Sequence, residues 1–84
     1  MENEQLIEAR QFCSSHNLEI TFIEELSELG LIRITTINEE VYLYPEELSR
    51  AEKMVRLHSE LGINPAGLDA IEHLIGLVQI VNRT

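Results

Sequence analysis

The first thirty residues carry their apolar positions at helical spacing. Leu6, Ile7, Ala9, Arg10, Phe12 and Cys13 predict a helix from about Glu4 to Ser14. The polar run Ser14-Ser15-His16-Asn17 interrupts it, and Asn17 suits the left-handed residue that such a turn needs. Phe22, Ile23, Leu26 and Leu29 give a second helical stripe, which Gly30 ends. Two short helices around a tight turn outline a helix-turn-helix over about residues 4–30. The period then changes. Residues 31–37 are rich in β-branched side chains, Asn38-Glu39-Glu40 is a turn, and Val41-Tyr42-Leu43-Tyr44 is again strand-like. A small hairpin, or wing, follows over about 31–44. Its turn lacks the Asn-Gly dipeptide that two-residue hairpin loops favour.

Helical spacing returns at Pro45, a residue tolerated in a first turn, with Glu46 and Glu47 favourably placed for the helix dipole. Leu48, Ala51, Met54, Val55, Leu57 and Leu61 form the stripe of a helix over about 45–61, and Gly62 stops it. Asn64 reads as an N-cap with Pro65 as first helical residue, opening a last helix over about 65–82. The fold class expected is mostly α with a small β-hairpin, in a single domain.

Length and charge narrow the function. A chain of 84 residues has room for one domain and gains from a partner subunit. Hydrophobic residues at 44% with charged residues at 25% speak for a globular rather than a disordered chain. The net charge is −9, and the excess of acids lies entirely in residues 1–48. Nucleic-acid binding needs a basic face that displaces counterions, so this balance opposes it. The acidic start, with no apolar run behind it, is not read as a signal peptide, and no stretch has the length of a membrane span. A single cysteine, Cys13, fits a reducing, cytoplasmic setting.

The order of elements resembles a MerR-type winged-helix domain over roughly residues 6–80. The segments that carry the likeness are Leu29-Gly30-Leu31-Ile32, Val41-Tyr42-Leu43-Tyr44-Pro45 and Arg56-Leu57-His58-Ser59-Glu60-Leu61-Gly62-Ile63. DNA-binding members usually carry Arg-Tyr-Tyr in the second helix. The corresponding positions here are Glu24, Glu25 and Leu26, and Glu28 adds a third acid. The wing adds Glu39 and Glu40. Carboxylates facing phosphates repel, so the surface contradicts the DNA-reading use of the fold. Shortness, acidity, Phe12-Cys13 and the Arg56-Leu57…Glu60-Leu61 segment are similar to the chaperone-modulator (CbpM-type) branch. That resemblance implies a non-enzymatic modulator that binds the basic helix of a J-domain in a DnaJ-like co-chaperone. From charge and fold position, Glu24, Glu25, Glu28, Glu39 and Glu40 are the expected docking surface. Complementary charge of this kind raises association rate and specificity.

Other chemistry finds little footing. Cys13 and His16 stand at i and i+3, but His58 and His73 are isolated, whereas a structural zinc site needs four ligands. Cys13 reads as a small buried hydrophobe. Phosphate loops, zinc-protease and nucleophile-elbow motifs are missing, so neither catalysis nor a cofactor is expected. In the last helix Leu68, Ile71, Ile75, Val78 and Asn82 recur at alternating three- and four-residue spacing, the seam of a homo-oligomer. Two alternatives remain. Arg50, Lys53 and Arg56 form a modest basic strip that could serve a DNA-binding regulator. A plain oligomerisation or adaptor module would fit another basic protein partner.

Overall fold

The computed structural model describes residues 5–82, with side chains through residue 75. Strand β1 (Ile7–Glu8) leads directly into helix α1 (Ala9–Ser15), followed by α2 (Ile20–Glu28). Strands β2 (Ile34–Ile37) and β3 (Glu40–Leu43) form the wing. A 3₁₀ turn at Pro45–Glu47 runs into α3 (Leu48–Leu61), and α4 (Pro65–Asn82) completes the chain. The fold is the expected one, mostly helical with a small antiparallel sheet.

One element departs from the sequence reading. The first helix starts at Ala9 instead of Glu4, because Ile7 and Glu8 pair with β3. The sheet therefore has three strands in the order β1-β3-β2. Ile7, Leu43 and Ile34 stand in one cross-strand row, with Leu43 in the middle and fully buried. A helix starting at Glu4 would bury Ile7 too, but β3 would then lack hydrogen-bond partners along one edge.

The punctuation residues act as anticipated. Asn17 adopts φ 63°, and the Leu18 amide donates to the Cys13 carbonyl at 2.8 Å, which turns the chain from α1 into α2. At the end of α2 the Gly30 amide donates to Ser27 O (3.0 Å) and the Leu31 amide to Leu26 O (2.9 Å). With Gly30 at φ 77° this is a Schellman closure, and it delivers Leu31 to the core beside Leu26. Asn64 Oδ1 accepts the Gly67 amide at 2.8 Å and caps α4. A Cβ on Gly67 would meet Ile63 Cγ2 at 2.8 Å and the capping Asn64 Oδ1 at 3.2 Å, so a larger residue there would have to displace the side chains that form the cap.

The wing turn is less comfortable. Asn38 and Glu39 both have positive φ, 51° and 68°. Strand twist favours this two-residue geometry, but a glutamate accepts it with strain. Glu39→Gly is therefore expected to stabilise the domain by about 0.5–1 kcal/mol, the relief being partly offset by glycine's larger unfolded-state entropy. Urea unfolding at neutral pH checks this, and an unchanged or lower midpoint contradicts it.

The core joins all elements around α2. Phe22, Ile23 and Leu26 of α2 are buried with Ala9, Phe12 and Cys13 of α1, with Leu31 and Ile32 of the segment after α2, with Leu43 of β3, with Ala51, Met54 and Val55 of α3, and with Leu68 of α4. Leu68 corrects the seam expected from its spacing. It is fully buried within its own domain, so it anchors α4 to the core and is not on the outer surface.

Candidate functional site

Helix α2 buries Phe22, Ile23 and Leu26, which turns its charged side chains outward. Glu24, Glu25 and Glu28 are all exposed. They fan in two directions. Glu24 lies near enough to Cys13 of α1 to help raise its thiol pKa, after the larger effect of burial. Glu25 and Glu28 share a helix edge at i and i+3 and border the start of α4. Among the described residues no ion pair involves any of the three.

The wing acids differ from one another. Glu39 is exposed at the turn. Glu40 is half-buried and pairs with Arg10 Nε at 3.3 Å, tying the wing to α1. Among the described residues no hydrogen bond or ion pair links the helix acids to the wing acids. Four of the five expected docking acids thus face solvent freely, and Glu40 serves the fold as well.

The basic residues are largely turned to internal use. Arg33 donates from Nε to Glu47 and from Nη2 to Glu46, each at 3.3 Å, and its guanidinium lies 5.2 Å from the Tyr44 ring centroid. The Glu47 hydrogen bond chiefly pushes its pKa still higher, so it stays charged. Arg50 Nε donates to the Leu31 carbonyl at 2.6 Å and Nη2 to Glu72 at 3.1 Å. This one side chain joins the end of α2, the start of α3 and the middle of α4. It was the first member of the basic strip considered for DNA. Lys53 and Arg56 remain exposed, and Arg56 shares a shallow depression with Glu52, Glu60 and His16.

Cys13 and His16 have separate roles. The Cys13 thiol is buried and donates to the Glu19 carbonyl at 3.6 Å. Its raised pKa keeps it protonated and weakly nucleophilic at neutral pH. His16 Nδ1 donates to Phe12 O at 3.0 Å, with its ring stacked on Phe12. Among the described residues no group of three or more His, Cys, Asp or Glu side chains could hold a metal.

Sequence reasoning left His58 as an isolated histidine with no structural role. Its Nδ1 donates to the Ile63 carbonyl at 2.7 Å, and its ring packs 4.6 Å from that of Phe22. It locks the α3–α4 corner onto the back of the acidic helix. A histidine in the last turn before Gly62 is a C-terminal capping signal, and that would have flagged it.

On α4, Ile71 is half-buried, while Leu74 and Ile75 are 61% and 43% exposed. Val78 and Asn82 of the expected seam lie outside the described side chains. Among the described residues no helix is long and apolar enough to cross a membrane.

A helix-turn-helix with a wing, an outward acidic second helix and two further helices defines a winged-helix regulatory domain. The chain belongs to the MerR HTH family of regulatory proteins, whose model matches residues 7–83. No curated protein and no solved structure matches it.

Proposed function

We propose that this domain regulates by binding a basic protein surface, and that its partner is the J-domain of a DnaJ-like co-chaperone. The observation that carries the reading is the outer face of α2. The helix that reads nucleic acid in DNA-binding relatives presents three exposed carboxylates, Glu24, Glu25 and Glu28, none of them in an ion pair among the described residues. Arg10, Arg33 and Arg50 pair with the domain's own carboxylates instead of standing free for phosphates. Glu39 at the wing tip adds a further exposed carboxylate. Binding would be stoichiometric, without catalysis or cofactor, in the cytoplasm, and would occupy the basic J-domain helix.

Self-association through Ile71, Ile75, Val78 and Asn82 belongs to the same proposal, supported by the exposure of Leu74 and Ile75. Sedimentation of the full chain as a monomer at micromolar concentration would overturn that part.

The functional test is a pair of titrations. A J-domain from the same cell, added to isotope-labelled protein, is expected to shift the amides of α2 in a salt-dependent manner. Duplex DNA at low salt is expected to leave them unmoved. Tight, steeply salt-dependent DNA binding, or no shift with the J-domain at high concentration, overturns the reading.

A further inference from the structure

The acidic helix does not present a flat surface along its whole length. Where its C-terminal turn meets the first turn of α4, a cleft of about 400 Å³ opens, lined by Glu25, Glu28, Leu29, Asn64, Pro65 and Ala66. We infer that this cleft receives one long cationic side chain, an arginine or lysine, from the protein partner. The inference rests on the reading of α2 as a protein-binding helix and gives that helix a defined point of attachment.

The shape and the lining both select this occupant. Leu29, Pro65 and Ala66 provide an apolar wall, and Leu29 is 40% exposed although it is a large aliphatic residue. Exposed aliphatic surface of this kind is covered well by the methylene stem of an arginine or lysine, whose head stays polar. Glu25 and Glu28, one helical turn apart on the same edge, bracket the place where that head would lie. Two neighbouring carboxylates repel one another, and a bound cation relieves the repulsion. Arginine, with its planar fork of donors, can reach both.

No lining residue is basic, and among the described residues none supplies an ion-pair partner to either carboxylate. Among the described residues that line the cleft, the opposing positive element is the start of α4. A helix N-terminus carries about half a unit charge, and Asn64 Oδ1 already accepts the Gly67 amide. Two full negative charges outweigh it. A carboxylate or phosphate ligand would therefore be repelled, while a neutral apolar side chain would leave the Glu25–Glu28 repulsion in place.

The probe is N-acetyl-arginine methylamide at millimolar concentration, added to the full isotope-labelled chain. Its uncharged isostere, N-acetyl-citrulline methylamide, is the control. The expected result is movement of the Leu29, Ala66 and Gly67 amides with the arginine derivative only. The double variant Glu25→Gln/Glu28→Gln should weaken that response about tenfold. No movement, equal movement with citrulline, or an unweakened response in the variant overturns the inference. Ala66 is exposed, so Ala66→Trp fills the cleft without altering charge, and circular dichroism checks its fold. That variant should bind the J-domain markedly less well than wild type. Full J-domain binding by Ala66→Trp overturns the cleft and leaves the acidic helix as the docking surface. Arginine-derivative binding in the cleft with no J-domain binding removes the co-chaperone and leaves the cleft.

Discussion

Leu43→Ala is expected to destabilise the domain by about 3–4 kcal/mol, in the range measured for fully buried Leu→Ala replacements that leave a cavity. Leu43 sits at the centre of the cross-strand row Ile7–Leu43–Ile34 and is fully buried. Ile7 and Ile34 on either side are only half-buried and cannot move inward without breaking the ladder. The surroundings thus have little freedom to collapse into the space. A chain of this size has roughly 4–13 kcal/mol of stability, so the loss is a large share of the total. With a urea dependence near 1–1.5 kcal/mol per molar, the unfolding midpoint should fall by about 2–4 M at unchanged slope. Ile37→Ala, at the exposed end of β2, is the matched control and should cost about 0.5 kcal/mol or less. If Leu43→Ala costs no more than that control, the sheet does not contribute to the core as described.

That row also marks what the sequence could and could not convey. The caps were readable because each is a local matter. Asn64-Pro65, Gly30 and Gly62 act through their own backbone angles and through amides within four residues. The wing strands were readable from β-branched runs around a polar turn. β1 was not, because two residues have no period. Ile7 suits a helix as well as a strand, and only its pairing with Leu43, distant in sequence, decides between them.

The last helix shows a second kind of ambiguity. Three- and four-residue spacing marks a stripe that must be covered, without saying by what. For Leu68 the cover is the domain's own core, whereas Leu74 and Ile75 about two turns later are exposed. The exposure of Glu24, Glu25 and Glu28 on α2 was legible from the apolar stripe, since helix phase is local. The neutralisation of Glu40 by Arg10 and the use of Arg50 on the Leu31 carbonyl were not legible, for both join residues nineteen or more apart in sequence.

The charge-reversed triple variant Glu24→Lys/Glu25→Lys/Glu28→Lys should remain folded and lose at least about a hundredfold in affinity for the J-domain. These side chains are exposed and make no ion pair among the described residues, so the core beneath them is undisturbed. Relief of the Glu25–Glu28 repulsion is offset by the new Lys–Lys one, leaving stability within about 1 kcal/mol of wild type. Across the interface each reversal replaces an attraction with a repulsion. At about 0.5–1 kcal/mol for each exposed pair lost or opposed, three reversals amount to about 3 kcal/mol or more. The loss should appear first in the association rate and should shrink as salt is raised. The decisive control places the same kind of change elsewhere. Glu52→Lys/Glu60→Lys alters exposed acids on α3, beside Arg56 and away from the α2–α4 cleft. If bulk negative charge were what the partner senses, this pair would weaken binding nearly in proportion to its charge. If α2 is the docking element, affinity should stay within about threefold of wild type, because Glu52 and Glu60 line a different depression and exposed charges outside the contact are weakened by physiological salt. Equal losses in the two variants would reduce the acidic helix to one part of a diffuse field.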